Sequence, residues 1–249
     1  MTERSTGDAA VWFDGVTKAF RAYDQKPFIV RTALLGLIGR APPQKRLVLL
    51  DDASFVIAKG ETVGVLGVNG AGKSTMLRLM AGSCMPTSGT VTVRGRVAPV
   101  LALGIGFHPD MTGLECIELN AIALGFTRKE VREREAPIVE FAELGDAIHK
   151  PLRYYSSGMQ ARLGFSIAIH SDPDVLLLDE VLSVGDAQFQ QRCRLRIASL
   201  HEDGVTIILV SHDAETVARV CSRALWLKEG KIVRDGPAAD TVAEYMAAG

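Results

Sequence analysis

Glu61-Thr62-Val63-Gly64-Val65-Leu66-Gly67-Val68-Asn69-Gly70-Ala71-Gly72-Lys73-Ser74 decides how this chain is read. Its first half is a short apolar run of the kind that forms a buried parallel strand. Its second half, from Gly67 to Ser74, fits G-x-x-x-x-G-K-[ST], and residues 74–80 follow as a helix. The residue types suit one task. Glycines let backbone N–H groups turn inward around a phosphate, and the helix start adds the positive end of its dipole. Lys73 then reaches the β- and γ-phosphates of a nucleotide, and the Ser74 hydroxyl is a Mg²⁺ ligand.

Working outward, strand signals fall at residues 9–13, 47–50, 53–57, 90–93, 97–101, 175–178 and 205–210. Between 112 and 171 the pattern turns helical. Strands alternating with helices predict an α/β parallel sheet, and the long helical middle predicts an inserted subdomain. Residues 28–40, between Pro27 and Pro42-Pro43, repeat apolar pairs at helical spacing with Arg31 and Arg40 beside them. They read either as a packed surface helix or as an interfacial helix at a membrane face.

Two further stretches carry chemistry. Val175-Leu176-Leu177-Leu178-Asp179-Glu180 is an apolar strand ending in two carboxylates. Asp179 is placed to hold Mg²⁺, and Glu180 to polarise an attacking water. Tyr155-Ser156-Ser157-Gly158-Met159 precedes an apolar helix. Small hydroxyl residues and a glycine at a helix start make an anion site or an ordinary N-cap, and the pentapeptide alone leaves both open.

Composition narrows the classes. In 249 residues, 47% hydrophobic content excludes intrinsic disorder and is enough for a full core. Lys plus Arg (28) nearly balances Asp plus Glu (29), which argues against a broadly basic nucleic-acid binder. Only 6% aromatic residues argues against a base-stacking platform. Cys84, Cys116, Cys193 and Cys221 form no CxxC spacing, so lone thiols in a reducing compartment are expected. Residues 1–10 carry charges with no apolar run after them, unlike a secretory signal. No stretch reaches the roughly 18 uncharged apolar residues of a spanning helix, so a cytoplasmic protein is expected.

The order of these elements, with Ser211-His212 after a further strand, resembles that of ABC-type ATPases. The likeness runs from about Val11 to the turn Lys228-Glu229-Gly230-Lys231. Three spellings resemble the ATPase subunits of polysaccharide exporters for O-antigen, capsule or teichoic acid. They are Tyr155-Ser156-Ser157-Gly158-Met159, the run from Val181 to Phe189 followed by Cys193, and the run from Leu103 to Glu115.

The resemblance implies an α/β P-loop NTPase with a RecA-like core sheet, an antiparallel β subdomain and an inserted helical subdomain. It implies one domain over 1–249, with the nucleotide-binding lobe at 1–106 and 171–249 and the helical subdomain at 107–170. ATP and Mg²⁺ are the implied cofactors. Phe20 would stack on adenine, with Tyr23 its rival. Asn69, Gly70, Ala71, Gly72, Lys73, Ser74 and Thr75 would hold phosphate, and Ser74 and Asp179 the metal. Glu180, His212 and Lys73 would be catalytic. Ser156, Ser157 and Gly158 would bind the γ-phosphate held by the other subunit of a homodimer, and Asp186 would lie in the dimer-contact loop. A membrane permease and a lipid-linked polysaccharide cargo are the implied partners, at the cytoplasmic face of the cytoplasmic membrane, with no nucleic acid. An exporter of a lipid or drug, or a soluble ABC-type ATPase, is the alternative. One departure stands out. Most ABC ATPases carry a Gln between the two lobes, and no Gln lies between Lys45 and Met159. The loop from Gly104 to Asp110 takes that place, leaving Phe107 or His108 as the candidate substitute.

Overall fold

The computed structural model describes residues 8–21, 46–100, 107–179, 185–211 and 213–248. Three of its strands, β3 (Thr62–Leu66), β6 (Val175–Asp179) and β7 (Thr206–Val210), have almost no exposed position. An all-apolar strand needs cover on both faces, and that requirement builds the central sheet. Together with β5 (Val97–Pro99), β8 (Arg223–Lys228) and β9 (Lys231–Pro237) they form a six-stranded sheet in the order β5-β6-β7-β3-β8-β9. Every pairing is parallel except β8 with β9, which a tight turn at Glu229 and Gly230 joins as a hairpin.

Alternate side chains divide the core. Val63, Val65, Leu177, Ile208 and Val210 pack on Met76, Leu77 and Met80 of α1 (Lys73–Met80). Leu66, Leu176, Leu178, Ile207 and Leu209 face the other way. There they meet α4 (Ser157–Ile169), α5 (Ala187–Glu202), α6 (Ala214–Val220) and α7 (Ala238–Ala247) through Phe165, Phe189, Ile197, Val217 and Val242. Each such side chain contributes roughly 1.5–3 kcal/mol by leaving water.

A second, antiparallel sheet has the order β2-β1-β4, from β1 (Ala9–Arg21), β2 (Arg46–Ala58) and β4 (Ser88–Val93). The sequence expectation of a strand ending at 13 is too short, and the separate strands at 47–50 and 53–57 are one. The cause is bulging. Gly15 and Asp52 adopt left-handed backbone angles, and register shifts at Phe13/Val16 and Lys18/Ala19 absorb the polar interruptions without ending the pairing. The helix expected at 28–40 lies outside the described residues.

The helical layer consists of α2 (Gly113–Ala123), α3 (Arg128–Ala142) and α4. Thr112 with Glu115 and Thr127 with Glu130 form reciprocal capping boxes that fix where α2 and α3 begin. The layer has its own apolar cluster around Cys116, Ile117, Ile138, Leu152 and Leu163. The opposite face of α4 belongs to the central core through Phe165 and Ile169. No helix among the described residues is long and apolar enough to cross a membrane.

Candidate functional site

Register brings the site together. Asp179 at the end of β6 pairs with Val210 of β7, and Val210 pairs with Val65 of β3. The Asp179 carboxylate therefore emerges beside the loop that leaves β3 at Gly67. This is the carboxyl end of the parallel strands, where α/β sheets place their ligands.

The loop is shaped by close packing. A Cβ on Gly67 would collide with the Leu227 carbonyl, and one on Gly72 with the Leu49 carbonyl, so neither position admits a side chain. Gly72 also takes a left-handed φ of 110° where α1 begins. Of the first six helices among the described residues, α1 alone lacks a side-chain cap, and its first turn carries no acid. Its N–H groups and dipole are thus directed at the loop rather than satisfied by a side chain.

Asn69, Gly70, Gly72, Lys73, Ser74, Thr75 and Asp179 line one cavity of about 350 Å³, with Leu49 as a further wall. Lys73 is buried, and its ammonium donates to the carbonyls of Gly67 at 2.6 Å and Val68 at 3.2 Å. That ammonium, the uncapped helix start and the glycine loop form an anion site. Ser74 and Asp179 supply hydroxyl and carboxylate oxygens to the same cavity, a donor set of the hard type that suits Mg²⁺.

Other residues singled out from the sequence lie elsewhere. Ala71 is off the cavity wall, its methyl buried in the core below the loop. Phe20 is 42% exposed and pairs with Leu47 on β2, two residues from Leu49 at the cavity. The register shift between Lys18 and Ala19 leaves Leu49 unpaired between the two, so alternation along β2 does not fix whether Phe20 shares its face. Ser156 is the N-cap of α4, accepting from the Met159 N–H at 3.2 Å, with Ser157 and Gly158 in the first turn. None of these three lines the Lys73 cavity. Phe107 packs into the helical layer, and His108 is exposed beside Asp110, so neither reaches the cavity. Glu180, His212 and Tyr23 lie outside the described residues.

Asp186 caps α5 through the Phe189 N–H at 2.9 Å and also meets Arg162. That N–H, then the Arg162 guanidinium, hold its carboxyl below the ordinary Asp value despite some desolvation. Sequence reasoning missed Leu49 and Arg162. The only trace of Leu49 is the demand for glycine at 72. Arg162 sits in the helix after the Ser/Gly pentapeptide without any motif of its own.

The family profile described as ABC transporter matches residues 50–183, more than half of the chain. The chain belongs to the ABC transporter family. An ABC transporter's ATP-binding domain is an ATPase, and this chain carries it. Among its relatives is the O-antigen export system ATP-binding protein RfbB of Klebsiella pneumoniae. It is 48% identical over 204 residues, covering 82% of this chain and 83% of that protein. The teichoic acids export ATP-binding protein TagH of Bacillus anthracis is 39% identical over 94% of this chain and 42% of its own length. Among solved structures, a dimeric ATP-binding cassette in a post-hydrolysis state, bound to ADP and Pi, superposes with a TM-score of 0.71. It is 26% identical over 92% of this chain and 98% of that one. The expected α/β ABC ATPase fold is therefore the observed one.

Proposed function

We propose that this ABC transporter ATPase drives export of a lipid-linked polysaccharide of the O-antigen, capsule or teichoic acid type. It does so as a homodimer at the cytoplasmic face of the cytoplasmic membrane, bound to a polytopic permease. The observation that carries this reading is the 48% identity to an O-antigen export ATPase over 204 residues. The Lys73–Asp179 cavity supports the chemistry.

In this reading the glycine loop and Lys73 bind the phosphates of ATP. Ser74 and Asp179 hold Mg²⁺, which neutralises phosphate charge when bound. Glu180, one residue beyond Asp179, orients the attacking water and takes its proton. His212 holds the γ-phosphate, and Phe20 stacks on adenine. Ser156, Ser157 and Gly158 of a second copy close over the γ-phosphate at the N-terminal end of α4. Residues 107–170 act as the helical subdomain that passes closure to the permease.

The test uses affinity-tagged Glu180→Gln protein, expressed in its own host and held with ATP and Mg²⁺. It should bind ATP, fail to turn it over, and leave solubilised membranes with a permease and a lipid-linked glycan. Wild-type hydrolysis by this variant would overturn the role of Glu180. Recovery only from the soluble fraction with nucleic-acid or ribosomal partners would overturn the transport reading.

A further inference from the structure

We propose that the cleft between α5 and α6 is a binding site for a small amphiphilic anion, a phosphate or carboxylate head on an apolar body. The cleft encloses about 540 Å³ and shares no lining residue with the phosphate cavity. That volume falls within the roughly 300–1,000 Å³ of small-molecule sites.

Its interior is aliphatic. Ile207 and Leu209 of β7 form the floor, with Ile197 of α5 and Val220 of α6 on the sides. Two guanidiniums stand at the walls, Arg194 from α5 and Arg219 from α6. Neither makes a close ion pair among the described residues, although Arg219 acts on the Asp213 carboxylate through its charge.

Asp213 is the single carboxylate on the lining, and its oxygens are committed. It accepts from the N–H groups of Glu215 and Thr216 and from the Thr216 hydroxyl. The lining therefore keeps one net positive charge over an apolar floor. Both guanidiniums are exposed, and a neutral lipid laid over the cleft would cover them without offering Arg194 a partner, while a free inorganic anion would leave the aliphatic floor uncovered. An amphiphilic anion satisfies both.

The test is calorimetric titration of the full chain saturated with ADP and Mg²⁺, which keeps the phosphate cavity filled. Octyl phosphate, octanoate and octyl glucoside are added below their micelle-forming concentrations. One of the two anions should bind saturably at one site, at least about tenfold tighter than octyl glucoside, and the tighter one identifies the head group. Arg194→Gln combined with Arg219→Gln should weaken it by about tenfold or more. Ala198→Phe, which fills the cleft from α5, should abolish it. Unchanged ADP affinity in these variants shows that they fold. Absence of saturable binding overturns the proposal, as does equal binding of octyl glucoside or an unchanged affinity in the double variant.

Discussion

The Arg162 guanidinium meets the Asp186 carboxylate at 2.5 Å, so the helix that starts at Ser156 is tied to the loop that leads into α5. The tie has company. Glu143, which ends α3, forms ion pairs with Arg192 at 2.6 Å and with Arg162 at 3.5 Å. Both arginines also stand over the Phe189 ring. Three helices of two layers are thus held at one corner, between the Ser/Gly pentapeptide and Asp186.

Arg162→Met keeps the apolar stem and removes the charge. The Asp186 side of the pair is exposed to solvent, so the expected stability loss is small. Catalysis should suffer more, because the pentapeptide and the Asp186 loop lose their common anchor. The expected result is a fall in kcat on the order of tenfold, with nucleotide affinity unchanged. Steady-state ATPase rates and a fluorescent nucleotide titration check it. A parallel loss of nucleotide binding would contradict it.

Gly72→Ala tests the packing of the phosphate loop. The new methyl would clash with the Leu49 carbonyl at a φ of 110°, so β2 or the loop must move. The expected cost is about 2–3 kcal/mol of stability, with nucleotide binding lost. Gly82→Ala is the control. It also has positive φ but meets open space, so it should cost about 1 kcal/mol and spare binding. Equal effects from the two would place the demand in backbone angle alone.

The contrast bears on what the chain reveals without a structure. The run from Thr62 to Ser74 announces strand, loop and helix because burial on both faces and a phosphate-turning backbone leave few other residue choices. Asp179 is legible for the same reason, as the first polar residue after a buried run. Leu49 is not, because its contact with Gly72 is made by the carbonyl, which every residue type carries. The length of β1 was hidden too. Asp14-Gly15 reads as a stop, and only pairing to β2 and β4 carries the strand past it as a bulge. Arg162 needed tertiary contacts, since nothing in sequence links it to Asp186, 24 residues away.

His170 gives a pH dependence whose sign follows from burial. Desolvation at the end of α4 lowers its pKa below the ordinary 6.5, against a hydrogen bond to the Ser166 carbonyl at 2.8 Å. The unfolded chain then binds a proton more readily than the folded one. Stability is present above pH 6.5 and falls as pH drops from there toward the folded pKa. Urea unfolding between pH 5 and pH 8 should show this decline, and His170→Gln should flatten it. An undiminished slope in the variant would assign the effect to other groups.

Three of the four cysteines should be inert. Burial pushes the thiols of Cys116, Cys193 and Cys221 up to about 12, so almost no thiolate forms near neutrality. Cys84 is only half-buried. A disulfide reagent at pH 7.5 should label Cys84 first, with the other three reacting only on unfolding. Rapid labelling of Cys193 would show instead that α5 opens in the native state.

Phe126 joins the helical layer to the core sheet. Its buried ring lies between two guanidiniums, 4.1 Å from Arg96 and 4.5 Å from Arg134. Arg96 donates to the Ser171 carbonyl and Arg134 pairs with Asp172, so both charges are held by the segment that precedes β6. Phe126→Ala removes the ring that fills this junction and should cost about 3 kcal/mol. Phe126→Leu keeps most of the volume and loses the π face, so about 1 kcal/mol should remain as its cost. The ring is where α2 and α3 meet the core edge. Hydrogen exchange in α2 and α3 should therefore rise in the alanine variant, while β3 and β7 stay protected. Uniform deprotection across both layers would mean that Phe126 supports the whole fold rather than the attachment of the helical layer.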